Sequence, residues 1–519
     1  MVQITENTVM DFFQDLMKKD EIQYLVGKDE EKKCLNELIN KLKDVEEIHD
    51  KILIAKDLWK ALFEAAMVYI DPDKQGYDEL FNYFDEFVSF EEVIYGADDY
   101  YRDHTLHSLW VYFLGEYIFN RPEYEFLLIN FNQKFRQAAL ISKYYKALEK
   151  PAIFGELCAI LDRVAGILNY DDAMRCVISL THDLGYPLRK IEKINTAIGK
   201  VLPFFSISSF GEFSFQFETI QQFYIENLLE LLSFRISFEV DIGDISFEER
   251  QLILGTINKI NQITAILFNL EEPDEEMFND LKNTLSEAGE KEDDLLRRIY
   301  TARAVMNKEV STILRFSNDF EHYQHGIMSS YLLMKSLNAF SNIRISYSNP
   351  SEISVENMDI ARINSKLYIL RAMADHTSPG FQISDFLEHS DVLILIDDIE
   401  EFSRISRANQ YRQFVNEFCK TDLNVKDGWL LIDNIFEDET VVGLDPEIHF
   451  RDKCKKFMRI FEIRNLADHI KIRFRCIGKL PTNNNIYELK LQNSMVSISI
   501  NNEPQVLSEY LKTKEAFHC

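Results

Sequence analysis

The stretch Val177-Ile-Ser-Leu-Thr-His-Asp-Leu-Gly-Tyr-Pro187 decides how this chain reads. Its first half is apolar at helical spacing. Asp171-Asp172 stand before it as a capped helix start. Gly185 and Pro187 end the run. His182 and Asp183 are therefore neighbours at the end of a rigid element, able to face one ion together. Imidazole suits iron, zinc, nickel and copper, carboxylate suits magnesium and manganese, and a mixed set leaves the metal open. A second such dipeptide, His49-Asp50, lies in the charged run Lys43–Lys51 and reads as a solvated helix face.

Outward from this stretch, further histidines fall near the ends of helix-like segments. Tyr101–Gly115 carries His104 and His107 one turn apart, hence on one face once the helix has begun. Asp319–Met334 opens a helix with His322 and His325. Asp359–His376 is another helix, closing before Thr377-Ser-Pro-Gly380. Ser390–Arg404 is a third and contains Asp397 beside Asp398.

The organisation follows from these segments. Residues 1–94 read as amphipathic helices, Leu58–Val68 the clearest. Residues 95–187 form the first half of a helical core, 188–318 a helical insertion, and 319–424 the second half of the core. Within the insertion, Pro203–Phe217 is dense in Phe and reads as core. The acidic runs Glu271–Glu276 and Glu290–Asp294 read as surface. Residues 425–519 change period: Ile470, Ile472, Phe474 and Cys476 alternate with Lys471, Arg473 and Arg475, the mark of a strand with one wet face. Ile486–Leu491 and Met495–Ile500 alternate likewise across Gln492-Asn-Ser494, a hairpin. The fold class expected is mainly α: a helical core, a helical insertion and a small C-terminal α+β domain.

Composition sets bounds. The 519 residues are 46% hydrophobic and 13% aromatic, enough for a large packed core. With 17 Gly and 11 Pro, breakers are scarce, which favours helix. A net charge of −29 is a poor surface for a nucleic-acid backbone. A basic docking strip at Lys471, Arg473 and Arg475 would be needed for that, and their plainer reading is a solvated strand face. Seven Cys without a C-x-x-C pair predict reduced thiols. No signal peptide and no apolar membrane span are legible, so a cytoplasmic, membrane-free protein is expected.

The order His107, His182-Asp183, His325, His376, Asp397 resembles the HD-domain metal-dependent phosphohydrolase superfamily, over about residues 95–410 less the insertion. The resemblance implies His107, His182, Asp183 and Asp397 as ligands of one ion. Asp183 would bridge to a second held by His325 and His376. It implies one or two divalent cations (manganese, iron, magnesium, nickel or zinc) and hydrolysis of a nucleotide phosphate bond by a metal-activated water. Asp183, His104 and His322 are the catalytic candidates, the two histidines as supporting groups one turn before better ligands. Arg102, Arg189, Lys190 and Arg404 are candidate phosphate clamps, Arg for its bidentate fork.

Within the superfamily, size, insertion and appended domain resemble the (deoxy)nucleoside triphosphohydrolases. These usually continue as His-Asp-x-Gly-His, whereas here Tyr186 and Pro187 occupy that place. Cyclic (di)nucleotide phosphodiesterases are the alternative. Their Gly-Tyr-Pro motif is a separate downstream element, so Gly185-Tyr-Pro187 is a chance likeness. A scaffold that binds nucleotide and signals to a partner is the reading outside enzymes. Self-association is expected by family analogy alone.

Overall fold

The structure is a computed structural model that describes residues 3–73, 76–94, 100–207, 211, 216–219, 221–241, 245–341, 343, 353–354, 360–402, 404–406, 419–439 and 445–512. It is mainly helical, with a small β domain towards the C-terminus.

Five helices build the core: His104–Phe119, Asp171–Thr181, His325–Ser336, Ile360–Asp375 and His389–Ile399. The Ile360–Asp375 helix packs against the Asp171–Thr181, His325–Ser336 and His389–Ile399 helices, and His104–Phe119 closes the group from Asp171–Thr181 to His389–Ile399. These helices are buried on most sides; His104–Phe119 is buried from His104 to Ile118, which suits a central element. N-terminal helices cover them. Glu6–Lys18 and Ile48–Ile70 pack on His104–Phe119, and Trp59 Nε1 donates to the Leu180 carbonyl at 2.7 Å, fixing the outer layer to the helix that leads to His182.

Two details depart from the sequence reading of the core. Residues 319–334 are not one helix: Val310–Glu321 ends, Tyr323 turns with φ 48°, and His325–Ser336 begins anew. The carboxylates of Asp171 and Asp172 do not cap their helix. They pair with Arg175, which also donates from Nε to Glu116 at 2.8 Å.

The 188–318 segment carries helices but also two strands. Phe234–Asp241 pairs antiparallel with Thr301–Lys308 in full register, from Phe234 opposite Lys308 to Asp241 opposite Thr301. The helices Phe247–Phe268, Glu275–Glu287 and Glu290–Ile299 lie between them in sequence. Of the Phe-dense stretch, Phe204 and Phe205 are exposed rather than core, and Phe217 packs on Phe320 and Tyr331. Phe210, Phe213 and Phe215 lie outside the described residues.

The C-terminal sheet has seven strands, in the order Gln3–Ile4, Lys420–Lys426, Trp429–Phe436, Ile472–Gly478, Ile486–Gln492, Met495–Ile500, Glu503–Gln505. It thus starts at Lys420 and takes its first edge from the other end of the chain. Trp429–Phe436 and Ile472–Gly478 run parallel, with the helix Pro446–Ile460 between them in sequence; the other pairs are antiparallel. Ile472, Phe474 and Cys476 are buried alternately, as the period-two pattern predicts. The hairpin turns at Asn493 and Ser494, both with positive φ (47° and 57°), the geometry of a two-residue hairpin loop.

The basic strip is spent internally: Arg475 Nε donates to Asp433 at 2.7 Å, and Arg473 faces Glu488 at 4.0 Å. The six described cysteines are free thiols. Among the described residues no helix is long and apolar enough to cross a membrane.

Candidate metal centre

Each candidate ligand sits at a helix end. Asp103 accepts from the Thr105 and Leu106 amides at 3.0 and 2.9 Å, so the helix starts at His104 and His107 falls in its first turn. His182 caps the C-terminus of Asp171–Thr181, and Asp183 follows in the turn. His325 opens its helix, His376 directly follows Ile360–Asp375, and Asp397 lies in the last turn of His389–Ile399.

Two glycines let these ends meet. A Cβ at Gly185 would lie 2.3 Å from the His325 carbonyl oxygen, and one at Gly326 would lie 2.2 Å from that of Met373 and 2.7 Å from His376 Nδ1. Ser329 ties the junction: its hydroxyl donates to the His182 carbonyl at 2.6 Å and accepts from the Gly185 amide at 2.7 Å.

The result is a cluster centred on Asp183, whose two carboxylate oxygens face different imidazoles. Oδ2 lies 3.2 Å from His182 Nε2 and 3.7 Å from His107 Nε2. Oδ1 lies 3.2 Å from His325 Nε2 and 3.6 Å from His376 Nε2. Asp397 Oδ1 stands 2.9 Å from His107 Nε2. Donor atoms of His107, His182 and Asp397 converge, as do those of His182, Asp183 and His376. The structure therefore brings together all six residues expected as ligands.

The opposite ring nitrogens fix how these imidazoles present themselves. His182 Nδ1 lies 2.7 Å from the Ser179 carbonyl, and His376 Nδ1 lies 2.6 Å from that of Met373. A carbonyl only accepts, so both Nδ1 atoms carry hydrogen and Nε2 is the free lone pair in the neutral ring. His107 Nδ1 donates to the buried Glu400 carboxylate at 2.5 Å. This is how metal-binding histidines are oriented. The Nε2 atoms of His182 and His376 are buried and make no hydrogen bond, a costly state that a cation would relieve. On these grounds the residues present fit a divalent metal, or two sharing Asp183.

The electrostatics agree. Burial disfavours charge on Asp183, yet the charge on His182 and the His325 and His376 imidazoles beside it hold its carboxyl well below the usual range. Burial likewise presses His182 towards neutrality, but Asp183 and Asp397 outweigh it and hold the imidazole up to about 9. Burial pushes His325 down to about 4. Without a cation, the charge on the His182 imidazole offsets part of the charge on the carboxylates.

The neighbours divide. His104 lies beside the cluster: its Nδ1 is 2.7 Å from the buried Glu91, and its ring is 4.0 Å from Tyr186. Lys190 is buried, with Nζ 4.4 Å from the centre of that same Tyr186 ring. Arg102 and Arg404 are register partners in a short antiparallel pair, Tyr100–Arg102 with Arg404–Ser406, while their side chains lie outside the described residues. Arg189 is exposed and reaches the His322 carbonyl and Gln324 Oε1. His322 is not brought to the cluster. It is exposed at a helix C-terminus, with Nδ1 donating to the Asn318 carbonyl at 2.8 Å.

The sequence reading did not assign the partner roles of Glu91, Glu400 and Ser329. A signal existed for Glu400, one turn after Asp397, and for Ser329, one turn after His325. Glu91 stands in an unremarkable acidic helix and gave none. The structure also separates Asp397 from Asp398: the former faces His107, whereas the latter pairs with Lys456 of the C-terminal domain. Comparison with known proteins returns no match by family model, by curated sequence or by solved structure, so what is read of this centre rests on its own geometry.

Proposed function

We propose that the chain is a divalent-metal-dependent phosphohydrolase of the HD-domain kind, acting on a nucleotide, with (deoxy)nucleoside triphosphates as the favoured substrates. One observation carries this reading: the two oxygens of Asp183 address two separate pairs of imidazole Nε2 atoms. His107, His182, Asp183 and Asp397 would hold one cation, and His325 with His376 would hold a second through the shared carboxylate. When bound, the cations supply an activated water and neutralise phosphate charge. The chain's own groups do the rest. Glu400, Ser179 and Met373 keep the imidazoles in the ligating tautomer. Lys190 and His104, gathered around Tyr186, offer cationic or hydrogen-bonding contacts to an anionic substrate. Arg102 and Arg404 are brought together by backbone pairing at the two ends of the core and serve as the proposed phosphate clamp. A metal-charged pocket inside an acidic chain suits a small phosphorylated substrate better than a nucleic acid.

The test is metal analysis of the purified protein, with His182→Ala/Asp183→Ala as control. One or two equivalents of metal, lost in the double variant, are expected, followed by manganese-dependent release of phosphate or triphosphate from dNTPs or NTPs. Cleavage confined to cyclic dinucleotides would move the assignment to a phosphodiesterase. Absence of both metal and phosphate release would overturn the enzyme and leave a binding scaffold.

A further inference from the structure

A second site lies outside this centre. A cavity of about 190 Å³ opens where the insertion helix Phe247–Phe268 meets Gln133–Ala147 and Pro151–Ala165. None of its lining residues belongs to the histidine cluster. Its walls are mainly apolar, with Leu157, Leu161, Ile257 and Ile299 all buried, and Asn261, Thr264 and two tyrosine hydroxyls add polar atoms. An aliphatic cavity of roughly 150 Å³ is large enough to take benzene, so this one holds a single ring with a small substituent.

Its polar groups distinguish it from a packing void. The Tyr145 hydroxyl is satisfied by Thr264 Oγ1 at 2.5 Å. The Tyr300 hydroxyl is not: the residue is 8% exposed, lines the cavity, and its oxygen has no protein hydrogen-bond partner among the described residues. Leaving such a group unpaired costs about 1–3 kcal/mol, and native interiors rarely do so without a ligand or water to complete it. Arg250 lines the same cavity from its solvent side and is exposed. Among the described residues it forms no ion pair. A guanidinium beside an apolar cavity selects a ligand with an apolar body and an anionic end.

We infer that this cavity binds a small single-ring aromatic carboxylate. The ring sits among Leu157, Leu161, Ile257 and Ile299, the carboxylate pairs with Arg250, and a ligand oxygen accepts the Tyr300 hydroxyl. This inference does not depend on the metal centre, and its test is built to be separate from it.

Phenylacetate and 4-hydroxyphenylacetate are titrated into the full chain by calorimetry and ligand-observed NMR, with toluene as the uncharged comparison. Saturable binding at one site is expected. It should persist in His182→Ala/Asp183→Ala, which excludes a carboxylate sitting on metal. Arg250→Ala should weaken it about tenfold, the usual scale for one charge-assisted hydrogen bond. Tyr300→Phe should weaken it roughly fivefold, and Leu161→Phe, which fills the cavity, should abolish it. Arg250 is exposed, so its replacement is readable even where the filling variant fails to fold. No saturable binding, binding unmoved by both Arg250→Ala and Tyr300→Phe, or toluene binding as tightly as phenylacetate would each overturn the proposal.

Discussion

Glu400 holds His107 from behind: its carboxylate is 2.5 Å from Nδ1, while His107 Nε2 faces Asp183 and Asp397. Replacing that carboxylate with a neutral amide takes away the charge that fixes the ring, and lets an NH2 group turn towards Nδ1 in its place. Glu400→Gln is therefore expected to lower metal affinity about 10–100-fold with the fold retained. Competition with a chromogenic chelator measures this, and unchanged affinity would separate Glu400 from the centre.

Asp397 and Asp398 should give opposite phenotypes. Asp397→Ala removes a group facing His107 and should cut bound metal with little change in melting temperature. Asp398→Ala removes a carboxylate that pairs with Lys456 of the C-terminal domain. Lys456 is about a third exposed, so solvent offsets part of the loss and about 1–2 kcal/mol of destabilisation is expected, with metal content kept. Denaturant melts and metal analysis of the pair decide it; reversed phenotypes would exchange their roles.

Gly326→Ala tests the close approach of two helix ends. The new methyl would meet the Met373 carbonyl, the group that fixes His376 Nδ1. Backbone cannot yield cheaply, so a loss of about 1–3 kcal/mol is expected, together with weakened binding at the His325–His376 side. A neutral outcome by thermal melt would mean that the approach is looser than described.

The proton on His182 predicts how pH acts. Its folded value, about 9, lies above the ordinary imidazole value near 6.5. The metal-free protein therefore gains stability that is full below about pH 6.5 and is lost as pH rises through about 9. A cation must displace that proton, so affinity should fall about tenfold per unit as pH drops below 9, with one proton released per ion at that position. Calorimetry in buffers of different ionisation heat counts the proton, and pH-independent affinity would remove His182 from the ligand set.

Much of this was legible in sequence because its signals are local. The alternation around Phe474 and the turn at Asn493-Ser494 are readable within a dozen residues, and so is the helix end at His182. The misses are of two kinds. Phe234-Arg-Ile-Ser-Phe-Glu-Val-Asp241 does alternate, but its partner strand lies beyond three intervening helices, and an unpaired alternation amid helical periodicity carries little weight. The break at Tyr323 had no glycine or proline to announce it; the chain turns there with φ 48°, just before His325 meets the His182 turn. Glu91 was invisible because its role exists only once His104 is placed against it.

The span of these pairings governs when the protein can become itself. His107 meets Asp397 across 290 residues of chain, and the strand Gln3–Ile4 finds its place only beside Asp422 and Thr421. During synthesis the His182-Asp183 turn leaves the ribosome long before His325, His376 and Asp397, the groups that gather around it. Nascent chains arrested before residue 397 would carry the turn without the full cluster, and Gln3–Ile4 must wait for its partner strand Lys420–Lys426. On the proposed function, capture of an ion would come late in maturation, a seal on a chain already almost entirely assembled.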